Sequence, residues 1–114
     1  MKTLQGMGQR ALGSLPALAD ISDRVLFGDV WERAALGKRD RSLVTVACLI
    51  ALGRAEQLPF HLRTALDHGV TRAELDETVT HLAFYAGWPA AATAARLLAD
   101  LPPASPAASV TAAR

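Results

Sequence analysis

His61 and His81 are the side chains best suited to chemistry in this chain of 114 residues. Imidazole changes charge close to neutral pH without help from its surroundings, so two of them brought against one buried helix would make an acid/base site. They stand on different predicted helices, and only the fold can join them. A histidine bordering an apolar face also reads as a core residue with its hydrogen bonds satisfied. Arg41, Arg54 and Arg63 are the nearest cations in sequence; each reads as a surface or interface residue, and each carries the planar guanidinium that holds a carboxylate through paired hydrogen bonds. Glu56 and Gln57 open the His61 helix, where Glu56 favours the helix dipole and Gln57, one turn before His61, can donate to a carbonyl. Tyr85 shares the face of His81 by i, i+4 spacing. The candidate catalytic pair is therefore His61 and His81, and the candidate binding set is Arg41, Arg54, Glu56, Gln57 and Tyr85. His68, just before Gly69, reads instead as a partner of helix-end carbonyls.

The elements that must position these groups are helical. From Leu43 to Leu52 only Thr45 is polar, which predicts a helix without a wet face that protein must surround; Asp40 is its expected N-cap and Gly53 its stop. A second helix is expected from about Arg54 to Glu56, with Pro59 in its first turn, an apolar stripe of Leu58, Leu62, Ala65 and Leu66, and closure at Gly69. Thr71-Arg72-Ala73-Glu74 is a capping box for the next helix. There Leu75, Val79, Leu82, Ala83 and Ala86 form one face, and Thr78, His81 and Tyr85 the adjoining one. Trp88-Pro89 opens an alanine-rich helix ending before Pro102-Pro103. Upstream, apolar residues recur at helical spacing from about Ala17 to Leu36, weakened by Gly28. Five helices are expected in all, within a domain over residues 17–101. Residues 1–16 read as a poorly ordered arm or short frayed helix, and residues 102–114 as a low-complexity disordered tail.

Composition excludes several classes. Half the residues are apolar, rich in Ala and Leu and poor in β-branched and aromatic types, which favours an all-α fold. The net charge is +1 without a basic stripe, so nucleic acid is not an expected partner. Cys48 is the only cysteine, predicted to be a buried, inert thiol, and neither a disulfide within the chain nor a Cys-x-x-Cys pair can form. No His-x-x-x-His or cysteine cluster offers a metal site, and no phosphate loop or nucleophile elbow is present. The apolar helix is too short to span a bilayer and no signal peptide is evident, so a cytoplasmic location is expected. Five short helices leave too little chain to cover the apolar helix and Phe84-Tyr85-Trp88, which predicts a homo-oligomer.

Five ordered stretches between Ser22 and Leu101 resemble the carboxymuconolactone decarboxylase family of the AhpD-like helical fold: Gly28-Asp29-Val30-Trp31, Arg41-Ser42-Leu43-Val44-Thr45, Ala51-Leu52-Gly53-Arg54, His61-Leu62-Arg63, and His81-Leu82-Ala83-Phe84-Tyr85-Ala86-Gly87-Trp88-Pro89-Ala90, with a closure at His68-Gly69-Val70-Thr71. The resemblance implies trimers or hexamers of all-helical subunits, with His61 and His81 in the positions of the family's functional histidines. AhpD-like peroxidases carry Cys-x-x-Cys where this chain has Arg54 and Gln57, which excludes their thiol chemistry. Decarboxylase-type members usually carry Glu at the position of Gln57, and this chain keeps only the neighbouring Glu56. Its N-terminal region is shorter than that of the lactone decarboxylases, which implies that part of their pocket is missing. The activity implied is cofactor-free decarboxylation of a small anionic unsaturated lactone or related carbonyl compound. In that reaction His61 would be the general acid, His81 the orienter or dienolate donor, and Arg41 or Arg54 the carboxylate grip. Isomerisation or enolisation on the same fold, and a non-catalytic oligomer that binds a small molecule, are the alternatives.

Overall fold

The computed structural model describes residues 4–102, and over these every regular element is helical, with no strand. Its helices are α1 (Met7–Leu12), α2 (Pro16–Ile21), α3 (Lys38–Leu52), α4 (Leu58–Asp67), α5 (Arg72–Ala86) and α6 (Trp88–Ala99), with a π-helical turn at Ser22–Leu26 and a 3-10 turn at Val30–Glu32. The chain falls into two compact units that divide within α3, between Arg41 and Ser42.

In the N-terminal unit the expected long helix over residues 17–36 is broken into three pieces. Ser22–Leu26 winds as a π-turn, and the helix stops at Phe27-Gly28, where a Cβ on Gly28 would meet the Asp23 carbonyl oxygen at 2.7 Å. Within the stretch expected to be a loose arm, α1 forms because Asp23 caps it from a distance. The Asp23 carboxylate accepts the first-turn N–H groups of Gly8 at 2.7 Å and Gln9 at 3.0 Å, satisfying donors that a helix start leaves open. The 3-10 turn is tied forward by Lys38–Glu32 at 2.8 Å, and the bidentate Arg33 guanidinium holds the Asp29 carboxyl below the usual carboxylate range. Helix α3 begins at Lys38, so Asp40 lies in its first turn and is not its N-cap.

The C-terminal unit holds the core, in which Val46 and Ile50 of α3 join Leu58, Leu62 and Ala65 of α4, Leu75, Val79 and Ala83 of α5, and Ala91, Ala94 and Leu98 of α6. Two glycine turns set the helix ends. Gly53, at φ 70°, lets Gly53 N–H reach the Ile50 carbonyl and Arg54 N–H the Leu49 carbonyl. The same paired bonds recur at Gly69, from Gly69 to Leu66 and from Val70 to Ala65, the Schellman arrangement that left-handed glycine permits. Helix α4 then starts at Leu58, later than expected, because Ala55, Glu56 and Gln57 form a turn. The Thr71–Glu74 capping box is present in both directions, and Gly87 alone joins α5 to α6. The expected disordered tail lies almost wholly outside the described residues.

Helix α3 is not enclosed by its own chain. Val44 and Leu52 remain 60 % and 61 % exposed, and Cys48, midway between them on the same face, is exposed as well. The expectation of a buried thiol is therefore corrected: Ser42, Val46 and Ile50 form the inward stripe, and Cys48 falls on the opposite side.

Candidate active site

His61 sits in the second turn of α4, its backbone N–H directed to the Gln57 carbonyl. Burial of Leu58, Leu62 and Ala65 draws that helix against the core and carries the imidazole part of the way in. The ring is half-buried, its Nδ1 is shielded from solvent, and its plane meets the Phe60 ring edge-on at a centroid distance of 4.9 Å. Burial pushes its pKa below the ordinary 6.5, because the low-dielectric surroundings disfavour the imidazolium.

His81 lies elsewhere on its helix than the buried stripe of Leu75, Val79 and Ala83. It is exposed and stacks on Tyr85 at 4.8 Å with the planes 29° apart, as the i, i+4 spacing predicts. One turn on, Phe84 meets Trp88 edge-to-face at 5.3 Å, and Phe84, Tyr85 and Trp88 are 75 %, 78 % and 64 % exposed. Between α5 and α6 an open apolar groove of about 430 Å³ runs beside these rings, lined by Val79, Ala83, Phe84, Trp88 and Ala91 among others.

The candidate cations separate cleanly. Arg41 donates from Nε to the Leu36 carbonyl at 2.8 Å and from Nη2 to the Arg33 carbonyl at 3.4 Å, bracing the loop ahead of α3. Arg63 donates to the Pro102 carbonyl at 2.6 Å. Arg54 is exposed and lines a partly enclosed cavity of about 140 Å³, with Leu49, Ile50, Gly53, Ala55, Leu58, Ala90 and Thr93. Glu56 and Gln57 are exposed in the turn that leads into α4, so Glu56 precedes the helix and does not sit in its first turn. Neither imidazole lines this cavity, the α5–α6 groove, or a third concavity near Arg72 and Asp76. Among the described residues no group of His, Cys, Asp or Glu is arranged to hold a metal ion.

The family model for carboxymuconolactone decarboxylases matches residues 16–100, most of the chain and every element of the C-terminal unit. The chain belongs to the carboxymuconolactone decarboxylase family. It is 44 % identical over 78 residues to the 4-carboxymuconolactone decarboxylase of Acinetobacter baylyi, a match covering 68 % of this chain and 58 % of that protein. It is also 40 % identical over 63 residues to the nitrosuccinic acid decarboxylase npaB of Metarhizium robertsii, covering 55 % of this chain and 44 % of that protein. The chain thus spans about half the length of the curated relatives it matches.

Two features of this family member escaped the sequence reading. His68 caps the end of α4 as expected, its backbone N–H on the Thr64 carbonyl at 2.9 Å, but it is also fully buried, with its Nδ1 2.7 Å from the Ser42 hydroxyl. Thr93, the only hydroxyl in α6, lines the Arg54 cavity. A lone threonine in an alanine run was a legible signal for the second. Nothing in the sequence pairs Ser42 with His68 across 26 residues.

Proposed function

We propose that this protein is a cofactor-free decarboxylase acting on a small carboxylic acid whose departing carboxylate leaves electrons next to a lactone carbonyl or a comparable acceptor. The observation that carries this reading is His61, an imidazole kept low in pKa by burial on a helix whose approach turn presents Arg54. The two decarboxylase relatives support it: one acts on a carboxylated lactone and the other on a nitro acid, and in both an electron-withdrawing group accompanies the carboxyl group that is lost.

The chemistry balances without an oxidant or reductant. Arg54 holds a carboxylate of the substrate, the carbon–carbon bond to the leaving carboxylate breaks, and the electron pair passes through the ring alkene onto the acceptor oxygen as carbon dioxide departs. His61, charged for this step, returns one proton to carbon. A buried imidazole is a stronger acid once protonated, which favours donation to a weakly basic carbon. Dry surroundings strengthen the contacts that stabilise the enolate-like oxygen. Arg41 is already committed to backbone carbonyls, so Arg54 takes the binding role expected of either. His81 and Tyr85 belong to the outward aromatic surface, and their part in the reaction begins when that surface is covered.

The occupant of that surface is a second copy of this chain. Three mostly exposed aromatic side chains leave roughly 400 Å² of apolar area uncovered. With the Val44, Cys48 and Leu52 face of α3, this approaches the roughly 800 Å² that each partner of a stable complex contributes. A homotrimer or homohexamer would cover both.

Incubating the purified protein with 4-carboxymuconolactone, nitrosuccinate and simple β-keto acids, and measuring carbon dioxide, tests the reading. Release from at least one of these acids, reduced in His61→Gln, is expected. No release from any of them by the assembled protein overturns it.

A further inference from the structure

The Arg54 cavity has a second polar wall that no sequence motif assigns. Among the described residues, Arg54 is the one cation with no protein acceptor: Arg24, Arg33, Lys38, Arg39, Arg72 and Arg96 meet carboxylates, Arg41 and Arg63 meet carbonyls, and Arg10 meets the Met7 sulfur. Thr93 is set apart in the same way. Helical threonines commonly return their hydroxyl to the carbonyl one turn back, as Thr78 does to Glu74 at 2.7 Å and Thr80 to Asp76 at 3.0 Å. The Thr93 hydroxyl makes no hydrogen bond to the described residues. Thr93 and Arg54 are the only polar side chains lining this cavity, on a floor of Leu49, Ile50, Leu58 and Ala90.

We infer that the cavity between the α3–α4 turn and α6 is a carboxylate subsite, in which Arg54 and the Thr93 hydroxyl grip one carboxylate and the apolar floor measures the carbon fragment behind it. Two donors from different elements over an apolar lining match an anion attached to a short hydrocarbon, and do not match a phosphate, which would leave oxygens beside Leu49 and Leu58 unpaired. At about 140 Å³ the volume equals that of roughly five waters of liquid. It admits a carboxylate with a short chain or one edge of a five-membered ring. Leu58 forms part of the floor, and His61 follows it by one turn of α4 without lining the cavity. The inference deepens the decarboxylase reading and rests on it for the substrate, but the subsite can be tested without turnover.

The probe is maleate, a small dicarboxylate that cannot lose carbon dioxide here. Titration of the assembled protein, followed by calorimetry and by the amide NMR shifts of Arg54 and Thr93, should show saturable binding. Arg54→Met should weaken it by roughly 10- to 150-fold and Thr93→Val by about tenfold, with Thr93→Ser restoring much of the loss. Ala90→Leu, which fills the cavity, should abolish it while leaving the helical circular dichroism unchanged; should that variant misfold, Ala90→Val serves, with a smaller loss. Maleate affinity unaffected by Thr93→Val and by the filled cavity overturns the subsite, even if carbon dioxide is released. Cavity-dependent binding without carbon dioxide release from any acid upholds the subsite and removes the decarboxylase reading.

Discussion

The Ser42 hydroxyl and the Nδ1 of His68 lie 2.7 Å apart with both residues fully buried, joining the inward stripe of α3 to the end of α4. Ser42→Ala removes that partner from an imidazole that water cannot reach. A buried polar atom deprived of a hydrogen bond costs about 1–3 kcal/mol. Thermal unfolding of the variant should show a loss of that size, and an unchanged midpoint would mean that the contact contributes nothing.

The N-terminal unit should depend on one carboxylate. Asp23→Ala uncaps Gly8 and Gln9 and should cost about 1 kcal/mol, as the loss of a helix cap does. Gly8→Ala should be worse, since its Cβ would stand 2.7 Å from the Ala19 carbonyl oxygen and 2.8 Å from Ser22 Cβ. Hydrogen exchange at the α1 amides is the appropriate readout, and protection retained in both variants would contradict the capping described.

His61 makes two predictions of opposite slope. If its imidazolium donates the proton, kcat should fall as pH rises through a value below 6.5, and His61→Ala should lower turnover by about 10² to 10⁴. Stability should run the other way. The unfolded chain binds the proton more readily than the folded one, so stability is full above pH 6.5 and declines as the solution is acidified toward the lowered value. Urea midpoints across this range should flatten in His61→Gln. A kcat that rises with pH would make His61 a base instead.

Trp88→Ser and Phe84→Ser should shift the protein toward monomer in sedimentation velocity, because each removes a large exposed ring from the proposed contact. If His81 acts only when that surface is covered, carbon dioxide release should become dependent on protein concentration in these variants. A wild-type protein that sediments as a monomer at high concentration would exclude the assembly.

Much of the C-terminal unit was legible because its signals are local. The Thr71–Glu74 capping box, the closures at Gly53 and Gly69, Trp88-Pro89 and the His81–Tyr85 spacing each lie within one or two turns of chain. What was not legible depends on partners far apart in sequence: Asp23 capping α1 from beyond α2, Ser42 reaching His68, and Thr93 lining the same cavity as Arg54. Cys48 was misread for a related reason. An apolar run has no periodic pattern to tell the inner stripe from the outer, and only the helices that share its core decide that Val46 faces in and Cys48 out.

Helices α5 and α6 meet at Gly87 alone, at φ 101° and ψ 153°, a backbone state closed to residues with a side chain although no atom lies nearer than 3.8 Å to crowd one. This elbow fixes the angle at which α6 departs, and with it how far Ala90 and Thr93 stand from the end of α3. If the Arg54 cavity holds a substrate carboxylate as inferred, the size of acid it admits is set in part by a residue outside its lining, and relatives differing only at that corner would sort their substrates differently.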